Sequence, residues 1–407
     1  MLSLNDFIYM KPMNAFRRVL FFFICISYVG VVSAKDSTSV RFAYDVDFDM
    51  DFDNREFYRS SFTGSMTIFG ARITPSLGID AGSQDGWNHR VMLGIDVMKD
   101  FGASPVSPEF SIDGENETSA RQINLDLFKE MTLYYKLGRK FDKTDLDVYA
   151  GIFPRRFMSG SYSRAFFSDS LMFYDNNLEG LLVQIGRPKA HFEIGCDWMG
   201  KIGESRRERF MIFSSGEGKV LPFMSLGYSA YMYHFACTRH IDGVVDNILA
   251  SPFVKFDLSG ITGLQCFNIS LNWLQSLQND RLHVGRYVFP CGGQLDMEIG
   301  HWNAGVRSAL FYGKDMMPYY NAYDAGGYKY GNQLYMGSPF YRVHDDGTDG
   351  PGIYERLEVF YEPVVGRFLR IRAAAVFHFN GSRYSGCQQV VTFGFNLQDL
   401  LHGKRNQ

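Results

Sequence analysis

Five aspartates recur at every second position near the start of the chain: Asp45, Asp47, Asp49, Asp51 and Asp53. Successive side chains of a β-strand point to opposite faces, so this spacing places all five carboxylates on one face of a strand. We interpret the stripe as the lining of a water-filled pore that attracts cations. The alternative is a polar face opposed by arginines of neighbouring strands. The arginines expected to line the same pore are Arg72, Arg370 and Arg372.

The same stripe is a weak candidate for a metal site. Its alternating acids resemble the start of a calcium loop, but it lacks the glycine that such loops carry at their sixth position. Phe48 and Met50 lie between the acids instead. We therefore expect no metal ion at the stripe and no cofactor elsewhere in the protein.

Two further segments without a strand pattern carry residues suited to binding. Residues 154–178 combine aromatic side chains with Arg155, Arg156 and Arg164. If this segment folds inward, its guanidinium groups face anionic solutes across from the aspartate stripe; otherwise it is a solvated loop.

Residues 314–352 are rich in tyrosine, and a loop this long is usually functional or disordered. Its aromatic content argues against disorder. We expect it either to narrow a barrel mouth and offer rings and hydroxyls to sugars, or to cap the barrel by packing on itself. The tyrosines concerned are Tyr319, Tyr320, Tyr323, Tyr328 and Tyr330. Near its end, Asp345, Asp346 and Asp349 either hold a calcium ion or simply form a turn.

Strands with strict alternation must position these residues. Phe42 to Phe52 places apolar side chains at even positions, with Ala43 and then four aspartates at odd ones, and Val391 to Leu397 also alternates, with its apolar side chains at odd positions. Several such segments exceed the about five or six residues of a typical strand. They reach the about 9–11 residues that cross a membrane at a tilt. A soluble β-sandwich is the alternative fold.

The segmentation gives about 16 antiparallel strands, with 14–18 allowed, and includes strands at 221–236 and 281–290. The region 259–303 has the least certain register. Gaps between strands alternate between long and short, as in transmembrane up-and-down β-barrels with long external loops and tight periplasmic turns. A sandwich has no reason to show that alternation, so we predict an all-β transmembrane barrel.

The first 34 residues read as a cleaved secretory signal peptide. Arg17 and Arg18 precede a 14-residue apolar run, and Val32-Ser33-Ala34 forms a small-residue cleavage site. The run is shorter than the roughly 20 residues of a membrane-spanning helix. We therefore predict export and a single barrel domain over residues 35–407. The formal net charge of −3 argues against binding nucleic acid.

The signal peptide, the alternating strands and the terminal Val391-Thr392-Phe393-Gly394-Phe395-Asn396-Leu397 resemble porin-type outer-membrane barrels of Gram-negative bacteria. Phe52-Asp53-Asn54-Arg55-Glu56-Phe57 and Phe173-Tyr174-Asp175-Asn176-Asn177 resemble a barrel family of gut anaerobes with no assigned function. The resemblance implies an outer-membrane location, a third external loop that constricts the pore, and a homo-trimer. One departure is that ten or more residues follow Phe395, whereas barrels of this kind often end on an aromatic residue.

These observations favour a porin-like channel for passive diffusion of small hydrophilic solutes, in contact with outer-membrane lipid. The alternative is a barrel-anchored receptor that binds glycan or a partner protein through residues 314–352. No G-x-S-x-G motif is present, and no histidine spacing is typical of a metal site. We therefore expect that the protein is not an enzyme and has no catalytic residue.

Overall fold

The protein is a closed barrel of sixteen antiparallel strands. A computed structural model describes residues 39–57, 60–83, 85–101, 128–344, 348–366 and 368–397. The predicted signal peptide and the residues after 397 lie outside this part of the chain. The strands are β1 Ser39–Glu56, β2 Met66–Gly82, β3 Trp87–Asp100, β4 Phe128–Lys140, β5 Asp145–Pro154, β6 Asn177–Arg187, β7 Ala190–Gly200, β8 Arg209–Leu221, β9 Met224–Phe235, β10 Val245–Asp257, β11 Cys266–Asp280, β12 Cys291–His301, β13 Ala304–Gly313, β14 Gly352–Tyr361, β15 Leu369–Asn380 and β16 Arg383–Asn396. Each pairs with its sequence neighbours, and β1 closes the ring against β16.

Helices are short and lie in the connections. The α-helices are α1 Asp169–Tyr174, α2 Ser259–Thr262 and α3 Gly331–Leu334, and 3₁₀ turns occupy Arg155–Phe157 and Pro339–Arg342. Within the described residues, none of these helices is long and apolar enough to cross a membrane.

The two faces of the barrel wall have opposite character. Large apolar side chains point outward and are exposed: Leu133 is 54 % and Leu271 is 53 % exposed. Charged side chains at the alternate positions point inward and are buried, with Asp47 at 2 % and Glu193 at 0 %. A soluble protein has the reverse arrangement, because water favours apolar groups inside. The outer surface is therefore suited to lipid, and the predicted transmembrane barrel is confirmed.

The connections also alternate as predicted. Turns of two residues join β6 to β7, β8 to β9 and β12 to β13 at one end of the barrel. The longest connections, which include residues 155–176 and 314–351, lie at the other end. We call this end the long-loop end; in outer-membrane barrels the long loops face the outside of the cell.

One predicted strand is wrong and one strand has no prediction, although the count of sixteen is right. The predicted strand 221–236 is only β9, because a turn at 222–223 separates it from β8, whose Ser, Gly and Lys residues hide its alternation. The predicted strand 281–290 is a loop. It turns away from β11 because the Asp280 carboxylate accepts hydrogen bonds from the backbone N–H groups of Leu282 and His283. One missed strand and one false strand cancel.

Two of the long connections fold back into the barrel. Residues 155–176, the inner loop, and residues 314–344, the plug loop, bond to each other where Ser168 N–H donates to Met336 O and Ser338 N–H donates to Arg164 O, each at 2.8 Å. Between them and the wall lies an apolar core that includes Phe166, Phe213 and Leu334. The inward face near the long-loop end is therefore aromatic, whereas alternation alone predicts only polar lining.

Candidate functional site

The aspartate stripe lies on the inner wall and meets arginines from two directions. Asp47 binds Arg156 of the inner loop at 3.0 Å, and Asp49 binds Arg370 of β15 at 2.9 Å. Asp45 accepts a hydrogen bond from Asn396 at 3.1 Å, and Asp51 lines the adjoining cavity. The stripe is thus a partly neutralised charged surface, and its role in solute passage stays a prediction.

The other two arginines predicted to line the pore face inward but have different partners. Arg72 lies 3.4 Å from Asp96 of β3 and is nearly buried. Arg372 binds Glu358 of β14 at 2.7 Å. Neither lies within ion-pair distance of a stripe aspartate, although β-strand register places Arg72 directly across from Asp49.

The three arginines of the inner loop bind different acids. Arg155 is buried against Asp197 at 3.0 Å and fixes the start of the loop to β7. Arg156 faces the stripe, and Arg164 binds Asp169 at 3.0 Å within the loop itself. Burial alone would raise the pKa of Asp169, but the guanidinium groups of Arg164 and Arg356 lower this pKa well below its ordinary value.

Glu193 holds the tip of the inner loop inside the barrel. Its fully buried carboxylate accepts hydrogen bonds from the N–H groups of Ser159 and Gly160 at 2.7 and 3.0 Å, and from the Tyr162 hydroxyl at 2.9 Å. A Cβ on Gly160 would lie 2.5 Å from this carboxylate and from the Ser215 side chain, so the close approach requires glycine. Burial and the negative Glu193 together raise the pKa of Tyr162.

Glu358 is the centre of a second buried network on the opposite wall. Its carboxylate binds Arg356 at 2.6 Å, Arg372 at 2.7 Å and Arg307 at 3.0 Å. Arg356 also lies 3.8 Å from Asp169 of the inner loop. This network links the loop to β13, β14 and β15 across the lumen.

The inner loop lines two of the lumenal cavities, which we call the amide chamber and the stripe chamber. The amide chamber, about 300 Å³, lies against β10–β14 and the loop residues 161–164. The stripe chamber, about 570 Å³, lies against β1, β2 and β16 and includes Asp49 and Asp51. Arg164, Arg307 and Arg356 line both chambers, so any ligand in either one meets these three guanidinium groups.

The plug loop is fixed to the wall by tyrosine hydroxyls. Tyr330 donates to Asp280 at 2.9 Å, and Tyr335 donates to Gln278 at 2.6 Å. Tyr319 is buried, and Tyr320 lies between the cations of Lys329 and Arg342. Of the tyrosines expected to contact a ligand, Tyr323 and Tyr328 are the exposed ones.

Metal binding is not supported by the described side chains. Among them, no group of three or more His, Cys, Asp or Glu residues could hold a metal ion. The proposed calcium cluster includes Asp345 and Asp346, which lie outside the described residues.

Polar side chains also occur where lipid is expected, on the outer face of β16, β1 and β2 near the long-loop end. We call this group the polar seam; it consists of Asn54, Glu56, Thr67, Cys387 and Gln389. The Thr67 hydroxyl donates to Asn54 Oδ1 at 2.9 Å, and Asn54 Nδ2 donates to Glu56 Oε1 at 3.1 Å. Asn54 Nδ2 also donates to Gln389, and Cys387 Sγ lies 3.9 Å from Glu56.

The alternation of side chains along β1 places the polar seam on the outer face. β1 pairs with β2 and β16 without a register shift, so Asn54 shares its face with the exposed Phe42. Asp53, one residue away, instead binds Gln388 and Arg55 on the lumenal side. The sequence prediction missed the seam, although continuing the even-numbered apolar series beyond Phe52 leads directly to Asn54 and Glu56.

A family model described as Lipid A 3'-O-deacylase-type matches residues 35–401, which is nearly all of the chain after the predicted signal peptide. This family is an enzyme family, so the prediction that the protein is not an enzyme is wrong. The resemblance to porins holds only at the level of an outer-membrane barrel.

Solved structures with similar shape are outer-membrane proteins of low sequence identity. A loop-deletion mutant of OmpT, an outer membrane protein of Vibrio cholerae, has a TM-score of 0.49 and 8 % identity, covering 89 % of this chain and 100 % of its own. A triple mutant of the Rhodopseudomonas blastica porin has a TM-score of 0.42 and 10 % identity, covering 87 % of this chain and 100 % of its own. No curated protein matches the chain by sequence.

Proposed function

Since the chain belongs to the Lipid A 3'-O-deacylase-type family, we propose that it hydrolyses an acyl ester of a lipid A-type glycolipid in the outer membrane. The observation that carries this proposal is the polar seam on the lipid-facing surface. A lipid substrate reaches this surface by lateral diffusion, whereas the lumen is reached only by solutes.

The position of the seam is unusual for a barrel of this kind. Charged substitutions on the lipid face cost up to about 2–4 kcal/mol for Arg or Lys at the midplane, less for acids and less near the interfaces. Asn54 and Glu56 lie at the long-loop end of β1, and we place this end at the level where the headgroups of the outer leaflet meet the acyl chains. Polar groups tolerated at this depth are suited to an ester linkage, which lies at the same level in a glycolipid.

The side chains of the seam are suited to base-assisted hydrolysis. We assign Glu56 as the general base that accepts a proton from water as the water oxygen attacks the ester carbonyl. Asn54 Nδ2 donates to both Glu56 and Gln389 and holds them side by side, and the remaining N–H of the Gln389 amide can donate to the oxyanion that develops. The proton then passes to the leaving sugar oxygen, and the products are a fatty acid and an alcohol.

Release of fatty acid from a purified lipid A-type glycolipid tests this proposal. The full mature chain in mixed micelles is expected to release fatty acid, and E56Q to reduce the rate at least about 100-fold, as for loss of a general base. N54A is expected to reduce it as well, because Asn54 holds Glu56 and Gln389 in place. E179Q is the matched control, because Glu179 is exposed at the same end of β6. Equal rates for E56Q and E179Q, or no release by the wild type, would contradict the proposal.

A second candidate function is passage of small hydrophilic solutes, favoured by the two charged lumenal chambers. This role predicts stepwise ion conductance when the purified protein inserts into planar bilayers. A silent barrel would exclude it without affecting the hydrolase proposal. The receptor alternative relies on the exposed Tyr323 and Tyr328 and stays a prediction.

A further inference from the structure

The amide chamber has one wall made of neutral hydrogen-bonding groups. Asn268, Ser270 and Asn272 occupy alternate, inward positions of β11, and Gln294 lies beside them on β12. Asn272 and Gln294 each donate to Asp296 at 2.7 Å, which holds its carboxylate against the wall. This ladder of amides and a hydroxyl offers both donors and acceptors, the pattern that a polyhydroxylated ligand requires.

Charged side chains line the rest of the chamber. Arg164, Arg307 and Arg356 line it, together with Lys255, which pairs with Ser270 of the ladder. Two acids, Asp296 and Glu298, line the same space, and Glu298 lies 2.8 Å from Arg307. Asp169, Glu358 and Glu362 bind these arginines but do not line the chamber, so cations outnumber acids at its surface.

Arg356 lines this space and has one nitrogen donor without a partner in the described part of the chain. Its side chain is 4 % exposed, and one guanidinium nitrogen binds Glu358 at 2.6 Å. Its Nε is buried and has no hydrogen-bond partner among the described residues. A buried donor without a partner costs about 1–3 kcal/mol, so a ligand acceptor at this position is favoured.

We propose that the amide chamber binds a small polyhydroxylated carboxylate, such as a sugar acid. Its carboxylate binds Arg164 and Arg356 where they line the chamber, beside their contacts with Asp169, because guanidinium groups bind carboxylates through paired, charge-assisted hydrogen bonds. Its hydroxyls bond to the ladder of Asn268, Ser270 and Asn272. The chamber volume of about 300 Å³ is at the lower end for small-molecule sites, which limits the ligand to about one sugar ring.

This site is independent of the proposed hydrolase. It shares no residue with the polar seam, which faces lipid on the other side of the wall. Ligand binding in the amide chamber and acyl release at the polar seam can therefore be measured independently on the same purified protein.

Calorimetric titration of the full mature chain in detergent, with D-glucuronate as the probe, tests the inference. We expect saturable binding of glucuronate, and binding of neutral glucose weakened at least tenfold. R164Q is expected to weaken glucuronate binding at least tenfold. The control R239Q, which changes an exposed arginine outside both chambers, leaves the affinity unchanged.

Because R164Q also removes the contact with Asp169, N268A provides a second variant that does not touch the inner loop. It is expected to weaken glucuronate binding while leaving the affinity for inorganic phosphate unchanged. Equal affinity for glucose and glucuronate, equal affinity for phosphate and glucuronate, or unchanged binding by both variants would overturn the inference.

Discussion

Glu358→Gln removes the negative charge at the centre of the lumenal arginine network. Glu358 is fully buried and binds Arg307, Arg356 and Arg372 at 2.6–3.0 Å. The amide of glutamine keeps the volume but leaves three guanidinium groups around a neutral centre. We expect this substitution to destabilise the barrel rather than to disturb its lipid-facing surface.

The size of the destabilisation depends on the ion-pair partners that each arginine keeps after the substitution. Removing one partner of a buried ion pair costs about 3–5 kcal/mol. Arg307 and Arg372 keep Glu362 at 2.8 and 3.4 Å, whereas Arg356 keeps only Asp169 at 3.8 Å. The loss therefore falls mainly on Arg356, and we expect the free energy of unfolding to decrease by about 3 kcal/mol.

Urea unfolding of the protein in lipid vesicles, followed by tryptophan fluorescence, measures this change. The matched control is E204Q, because Glu204 forms exposed ion pairs with Arg239 and His240. An exposed pair contributes about 0–1 kcal/mol. If E358Q and E204Q shift the unfolding midpoint equally, the buried network does not stabilise the barrel and the reasoning is refuted.

Three further predictions concern the loops and the lipid face. Y335F removes the hydroxyl that bonds Gln278 and accepts from Tyr319 N–H, so the plug loop should loosen by about 1–3 kcal/mol and be cleaved faster by protease, with Y323F as the exposed control. Burial raises the pKa of Asp315 to about 6, so the folded plug loop favours the protonated acid and should be cleaved faster as the pH rises from about 4 to 7; this dependence should be absent in D315N. L271R places a charge on the lipid face and should lower the free energy of unfolding in vesicles by about 2–4 kcal/mol, whereas an unchanged value would place Leu271 outside the lipid.

Strand patterning predicted the fold because a barrel wall repeats one rule along its whole length. Phe42 to Phe52 and the intervening aspartates show this rule without interruption, and the register of β1 follows it. The sequence does not predict β8 because its outward positions 214, 216 and 218 are Ser, Gly and Gly, which remove the apolar signal of that face. Alternation therefore predicts a strand only where its outward residues are large and apolar.

Site residues were harder to predict because their partners are distant in sequence. Arg156 meets Asp47 across more than a hundred residues, and Glu193 binds the inner-loop tip from β7. Neither Glu193 nor Glu358 was singled out, since an isolated glutamate in a strand carries no pattern of its own. The outward direction of Asn54 and Glu56 follows from the alternation of β1 alone, because even-numbered side chains of this strand point outward. The sequence analysis uses these two residues only for the resemblance to a barrel family.

The central claim is that the polar seam contacts lipid while the chambers contact water. A variant that keeps Cys387 as its only cysteine carries a fluorescent label on the seam, and N268C in a cysteine-free background labels the amide chamber. In vesicles, lipids brominated near the headgroup are expected to quench the Cys387 label more strongly than aqueous iodide does, and the order should reverse for N268C. If the Cys387 label is quenched like that of N268C, the seam does not face lipid and the hydrolase proposal is contradicted.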